Sequence, residues 1–297
     1  DKNAVDHVYS DFSVMLEEQK PDLVDIITPP ETHFAYIQAA VDNHVAIICQ
    51  KPFCRSLEEA EKATKMAEEA GIMLVIHENF RFQPWYQVIK EELLGKQTGE
   101  VYQAQFRLRP GDGQGVDAYL ARQPYFQEME KFLIHETGIH WVDTFRYLFG
   151  EVTSVYAHLR RLNPNIAGED SGLLIFEFDS GVQAVFDGNR LVDHVAENRR
   201  LTMGEFMLEG SKGVVSFNGN GEIFCRERGS NSWQEYMYEW QETGFGGDCV
   251  YRLQQHVIKH LLGLGHVYNK AGDYLKNIYI EQAIYRSAET GQRVMIE

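Results

Sequence analysis

Four cysteines in 297 residues, Cys49, Cys54, Cys225 and Cys249, form no Cys-x-x-Cys pair and lack the density of a disulfide scaffold. Reduced core thiols are therefore expected, and no metal site. No run reaches the roughly 18 apolar residues of a membrane span. The opening Asp1-Lys2-Asn3-Ala4-Val5-Asp6 does not show the charged-then-apolar order of a secretion signal. Basic residues are scarce, 28 Lys and Arg against 44 Asp and Glu, and no Lys/Arg-rich run offsets the net charge of −16. Such a field repels phosphate backbones and anionic lipid, so neither nucleic acid nor membrane is an expected partner, and the expected location is cytoplasmic. Repeats and low-complexity tracts are also absent. What is present is ordinary globular composition, with length for two modest domains.

The chain opens with short apolar runs separated by amphipathic stretches. Asp22 to Thr28, Val45 to Cys49 and Ile72 to Ile76 read as strands buried on both faces. Between them, one helix follows Pro29-Pro30 through Ala40, and another begins at Ser56-Leu57-Glu58-Glu59, a capping box. Strand, helix, strand, helix, strand predicts an α/β, Rossmann-type doubly wound parallel sheet, whose ligands sit beyond the carboxyl ends of the strands. After a helix near Gln83 to Leu94 the period changes. Val101 to Arg109, Val152 to Leu162, Leu173 to Phe178, Val182 to Phe186, Leu201 to Leu208 and Val214 to Phe217 read as strands. With late helices at about Tyr251 to Leu262 and Ala271 to Thr290, they predict an α+β domain built on a large, mostly antiparallel sheet. The expected domains are 1–82 and 83–297.

Three places collect polar residues where that fold would face a ligand. The first is Thr28-Pro29-Pro30-Glu31-Thr32-His33, a rigid turn into a helix N-terminus that favours an anionic group; a capped βα turn explains it equally well. The second is Gln50-Lys51-Pro52, where a lysine at the end of a buried strand projects into the crevice and burial beside a cationic ring would suit it to acid/base work, although surface lysines are common. The third is His135-Glu136-Thr137-Gly138-Ile139-His140-Trp141-Val142-Asp143. At roughly 100° per residue, Glu136, His140 and Asp143 share one helix face, so a carboxylate can orient a histidine. His135 and His140 are five apart, one residue too long for the metalloprotease His-Glu-x-x-His. A partly buried histidine bonded to a carboxylate for packing is the plainer alternative.

Taken in order, these motifs resemble the glucose-fructose oxidoreductase/inositol dehydrogenase/MocA family over essentially the whole chain. The family's threonine-proline loop with a downstream histidine is matched by Thr28, Pro29 and His33, and its Glu-Lys-Pro signature by Gln50-Lys51-Pro52. Asn79-Phe80-Arg81-Phe82 and the turn from Gly95 to Val101 look like further landmarks, and the Asp-x-x-x-His motif corresponds to Glu136 and His140, followed by Asp143. The resemblance implies NAD or NADP as cofactor and hydride transfer to or from a sugar, inositol or related polyol. It implies His140 as general acid/base, Glu136 as its orienting carboxylate and Lys51 as the group that polarises the substrate hydroxyl. Cofactor contacts are then expected from Thr28, Pro29, Pro30, His33, Gln50, Lys51, Pro52, Asn79 and Arg81. Arg81 is also a candidate substrate contact, its alternative being an interdomain ion pair. Arg107, Arg109, Tyr119 and Arg122, flanking the loop after the first strand of the second domain, are substrate candidates. A homodimer or homotetramer through the broad sheet is expected.

Three departures stand out. Gln50 replaces glutamate, Glu136 replaces aspartate, and no Gly-x-Gly-x-x-Gly follows a first strand; Gly111-Asp112-Gly113-Gln114-Gly115 lies in the wrong context. A first βαβ unit of roughly 30 or more residues is thus expected to lie outside this sequence, and with it the residue that separates NAD from NADP. The rival reading is a ligand-sensing or regulatory homologue without catalysis. Retention of both Lys51 and His140 argues for an enzyme, because binding alone has no chemical need for the pair.

Overall fold

Residues 5–296 are described by a computed structural model. They divide into two units: the chain up to Glu78 together with His260–Lys276, and Asn79–Lys259 together with the chain from Asn277 onward. The expected break at 82 thus falls four residues later than this division. The expectation also gave all of 83–297 to the second domain, whereas the late segment 260–276 returns to the first.

In the first unit, helix α1 (Phe12–Gln19) starts where the Asp11 carboxylate accepts from the amides of Ser13 and Val14. Strands β1 (Leu23–Ile26), β2 (Ala46–Cys49) and β3 (Leu74–Ile76) pair in parallel in that order, joined by α2 (Pro30–Asp42) and α3 (Leu57–Glu69). Their apolar runs are buried because crossover helices accompany a parallel sheet. The capping box at α3 is half as expected. Ser56 Oγ accepts from the Glu59 amide at 3.2 Å, but the Glu59 carboxylate accepts from the amide and guanidinium of Arg55, one residue further back. The open edge of β3 is covered by the returning segment: the Ile76 amide donates to Asn269 O at 2.8 Å, and Asn269 Nδ2 donates to Glu78 O at 2.7 Å.

The second unit begins with α4 (Pro84–Val88), which runs into a π-helical turn at Ile89–Leu93. Its sheet comprises β4 (Val101–Leu108), β5 (Val152–Arg160), β6 (Ser171–Phe178), β7 (Gln183–Asn189), β8 (Gly204–Gly210), β9 (Gly213–Phe217), β10 (Ile223–Glu227), β11 (Gln234–Tyr236) and β12 (Val294–Met295). The order is β11-β10-β9-β8-β4-β7-β6-β5-β12, with β4 and β7 parallel and every other pairing antiparallel. Helix α5 (Ile139–Phe149) covers one face. Trp141 stacks on Phe106 with centroids 4.2 Å apart and lies 5.5 Å from Phe186, while Phe145 meets Phe176 edge-on. Trp141 is fully buried and its indole N–H donates to Tyr86 Oη at 2.9 Å, so this large ring is sequestered without an unpaired donor. Helices α6 (Cys249–Leu261) and α7 (Ala271–Thr290) follow. Among the described residues no helix is long and apolar enough to cross a membrane.

Candidate active site

In the first unit, the candidate residues stand at the carboxyl ends of β1 and β2, where the twist of a parallel sheet opens a crevice. Helix α2 starts with proline at N1, and its N-cap residue Pro29 offers no side-chain acceptor to the first amides. Thr32 Oγ1 donates within the turn, 2.7 Å from Thr28 Oγ1 and 2.8 Å from Pro29 O. His33 is fully buried, with Nε2 2.8 Å from Thr28 O, so it fastens the loop from beneath. Burial pushes its pKa below the ordinary histidine value, outweighing the raising effect of the Thr28 and Pro52 backbones and of Glu31. Gln50, Lys51 and Pro52 are half-buried, and the Lys51-Pro52 peptide is cis. Ile27, just beyond β1, is 68% exposed, which is unusual for an aliphatic side chain next to a buried strand. Sequence reasoning absorbed it into the strand's apolar run and so missed it.

In the second unit, His140 lies in the first turn of α5. Its ring stacks face to face on Phe80, centroids 3.9 Å apart and planes within 6°, which leaves the imidazole 8% exposed. Phe80 is in turn held edge-on by Trp141 at 5.1 Å. The two rings of the Asn79-Phe80-Arg81-Phe82 and His140 motifs thus pack as one layer, a contact that no local spacing in the sequence reveals.

Asp143 and Arg81 are both buried. Arg81 Nε donates to Asp143 Oδ2 and Nη2 to Oδ1, each at 2.6 Å, and Asn277 Nδ2 adds 2.8 Å to Oδ1. The Arg81 guanidinium is engaged in a bidentate ion pair inside one unit. An ion pair was the expected alternative to a ligand contact for Arg81, though one between domains; this pair lies within one unit.

Glu136 is not carried by an unbroken α-helix. Leu133–Gly138 is π-wound, with i→i+5 bonding that turns less per residue, so the 100° argument for a face shared with His140 and Asp143 does not hold in that form. The carboxylate lies in the field of Arg190, a residue that sequence reasoning missed. Arg190 is buried, bonded to Asp112 (2.6 and 3.1 Å) and Thr137 Oγ1 (2.8 Å), and flanked by the rings of Tyr119, Phe126 and Phe132. A single arginine at a strand end gives no spacing signal.

The substrate candidates of the second unit stand in three different surroundings. The Tyr119 hydroxyl is buried beside Arg190 in its aromatic cage, and burial pushes the phenol well above its ordinary pKa. Arg107 on β4 and Arg109 just past its end alternate with Phe106 and Leu108. Since Phe106 faces α5, the two arginines belong to the opposite face, where Arg107 meets Glu205 and Arg109 meets Asp187. Arg122 is exposed. Among the described residues no group of three or more His, Cys, Asp and Glu side chains is arranged to hold a metal ion.

A parallel layer with an uncapped helix start at its carboxyl edge is a scaffold suited to a dinucleotide, and in the second unit the helix covering the mixed sheet carries a histidine. Residues 1–78 match the oxidoreductase family with an NAD-binding Rossmann fold, and residues 86–216 match the GFO/IDH/MocA C-terminal domain. D-apiose dehydrogenase of Rhizobium rhizogenes is 29% identical over 303 residues, spanning 100% of this chain and 85% of that protein. The scyllo-inositol 2-dehydrogenase (NAD(+)) of Bacillus subtilis is 31% identical over 203 residues, 66% of this chain and 56% of that protein. An oxidoreductase from Agrobacterium radiobacter, solved with NAD+, L-tartaric acid and magnesium, superposes with a TM-score of 0.86 at 27% identity, covering 98% of this chain and 85% of that one. The chain belongs to the Gfo/Idh/MocA family and is an NAD(P)-dependent dehydrogenase.

Proposed function

We propose that the protein oxidises a CH–OH carbon of a sugar, inositol or related polyol. The observation that carries this reading is the similarity to D-apiose dehydrogenase across this chain and 85% of that protein, joined by inositol dehydrogenases over two thirds of the chain. Two features of the first unit suit part of a nicotinamide dinucleotide: α2 begins without a side-chain cap, which suits an anionic group, and the exposed Ile27 offers an apolar face for a flat ring. Thr28, Pro29, Pro30 and Gln50 line the same strand ends. Bound NAD or NADP supplies the hydride acceptor.

The remaining chemistry belongs to the chain. Removing hydride from the carbinol carbon requires loss of the hydroxyl proton, and His140 accepts it. The Phe80 face fixes the plane of the ring, so the proton leaves along a defined direction. In the roles the family resemblance implies, Lys51 polarises the hydroxyl oxygen as negative charge develops, and Glu136 orients His140. Gln50 stands where the family signature has glutamate, and Lys51 itself is retained.

The test is reduction of NAD or NADP by the full-length protein, followed spectrophotometrically across D-apiose, scyllo-inositol and a panel of aldoses and glycosides. Lys51→Ala and His140→Ala should each lower kcat by about 10²–10⁴. Cofactor binding without turnover of any polyol, or variants as fast as the parent, overturns the assignment.

A further inference from the structure

The π turn that carries Glu136 is tied on every side. Glu169 is 9% exposed, and its Oε1 accepts from the amides of Phe132 (3.2 Å) and Ile134 (3.1 Å) and from Tyr285 Oη (2.7 Å); the Leu133 amide donates to its backbone carbonyl at 2.9 Å. One carboxylate, 35 and 37 residues downstream of the amides it accepts from, thus caps the start of the turn. Next along the turn, His135 Nδ1 pairs with Glu281 Oε1 at 2.7 Å. On the far side of Glu136, Thr137 Oγ1 accepts from Arg190 at 2.8 Å. Residues 134, 135 and 137 are each held by a distant side chain, and Glu136 lies between them.

Two of the four anchors come from α7. Glu281 and Tyr285 are four residues apart, so they project from one face of that helix toward the turn. Burial, and then the neighbouring Glu169 carboxylate, keep the Tyr285 phenol protonated, so it serves as a donor, and Lys131 Nζ lies 4.6 Å over its ring. A π turn is a poorly favoured winding that persists where surrounding groups over-determine it. The surroundings here are Glu169 with Tyr285, and His135 with Glu281.

We propose that Tyr285 and Glu281 are positioning residues of the enzyme, acting through Glu169 and His135 to fix the direction of the Glu136 carboxylate. The inference rests on the role of Glu136 in the reaction proposed above. It adds α7, a helix outside every motif recognised in the sequence, to the machinery that sets that carboxylate.

The test combines kinetics and hydrogen exchange on Tyr285→Phe, Glu281→Ala and Glu281→Gln, with thermal melts to confirm folding. Tyr285→Phe should lower kcat about 10-fold on whichever of D-apiose or scyllo-inositol is turned over, with KM for cofactor unchanged. Glu281→Ala should do the same, and Glu281→Gln, which still accepts from His135, should restore most of the loss. In a Glu136→Gln background, Tyr285→Phe should cost less than about 2-fold, because residues acting through one group are not additive. Equal losses in both backgrounds overturn the proposal and leave the dehydrogenase reading intact. A Glu136→Gln enzyme as fast as the parent removes the role of Glu136 and this proposal with it. Independently of turnover, amides 132–138 should exchange at least about 10-fold faster in Tyr285→Phe; unchanged exchange overturns the clamp whatever the substrate.

Discussion

At the scale of single residues, Asp143 and His33 show how burial decides between structural and chemical roles. Asp143 follows the motif histidine by three residues and was expected on the catalytic face, yet its carboxylate is held by Arg81 and Asn277 in a buried network. Removing it leaves a guanidinium sequestered from water without its anion. Asp143→Ala should therefore destabilise the protein by about 3–5 kcal/mol, whereas the double replacement Arg81→Met with Asp143→Leu should cost much less, since an apolar pair leaves no orphaned charge. Denaturant titration measures both; a loss expressed only as a raised KM would return Arg81 to the ligand contacts. His33 gives a pH dependence of definite sign. Its folded pKa is lowered by burial, so between that value and the unfolded value of about 6.5 the unfolded chain binds more protons and stability rises with pH. The contribution is fully present above about pH 6.5 and is lost as pH falls through the lowered folded value. Melting temperatures measured from pH 7.5 down to 5 should fall more steeply in the parent than in His33→Gln, and parallel curves would refute this.

At the scale of elements, the sequence was most readable where burial is local and periodic. The three parallel strands announce themselves as apolar runs, and β4 to β9 by alternation and turn residues, because each strand must present one face to α5 and its neighbours. Residues that depend on distant partners left no such mark. The π turn at Leu133–Gly138 exists because Glu169, Glu281 and Arg190 hold it, and none of these is within 30 residues in sequence, so an unbroken α-helix was the natural reading. Strands β10, β11 and β12 were missed for a related reason. They are five, three and two residues long, and they pair at or near the sheet's ends, where half-buried side chains show weak alternation. The site divides the same way. Lys51, Glu136 and His140 were legible as motifs, but the Phe80 stack on His140, the Arg190 cage and the face of β4 that carries Arg107 are products of packing.

At the scale of the whole molecule, neither unit is one continuous stretch of chain. The first is closed by His260–Lys276 and the second by the chain from Asn277 onward. Both closures are made by hydrogen bonds with buried partners. In the first, Asn269 answers the Ile76 amide and the Glu78 carbonyl at the edge of β3. In the second, Asn277 bonds both Asp143 and Arg146 beneath α5, Ser287 Oγ accepts from the Ala157 amide at 2.9 Å, and β12 pairs along β5. A polypeptide ending at Lys259 therefore strips partners from both cores at once: it bares a parallel edge strand, which promotes association, and leaves buried donors on α5 and β5 unpaired. Each unsatisfied buried group costs about 1–3 kcal/mol, so four or five of them together approach the 5–15 kcal/mol that stabilises a typical domain. The expected outcome is a truncated chain that loses cooperative melting in both units and aggregates, with hydrogen exchange accelerated at β3 as well as at α5. A truncated chain in which Leu74–Ile76 or Ile139–Phe149 kept its full protection would show that the corresponding unit closes without the C-terminal segment, and the interleaved description of the fold would then fail for that unit.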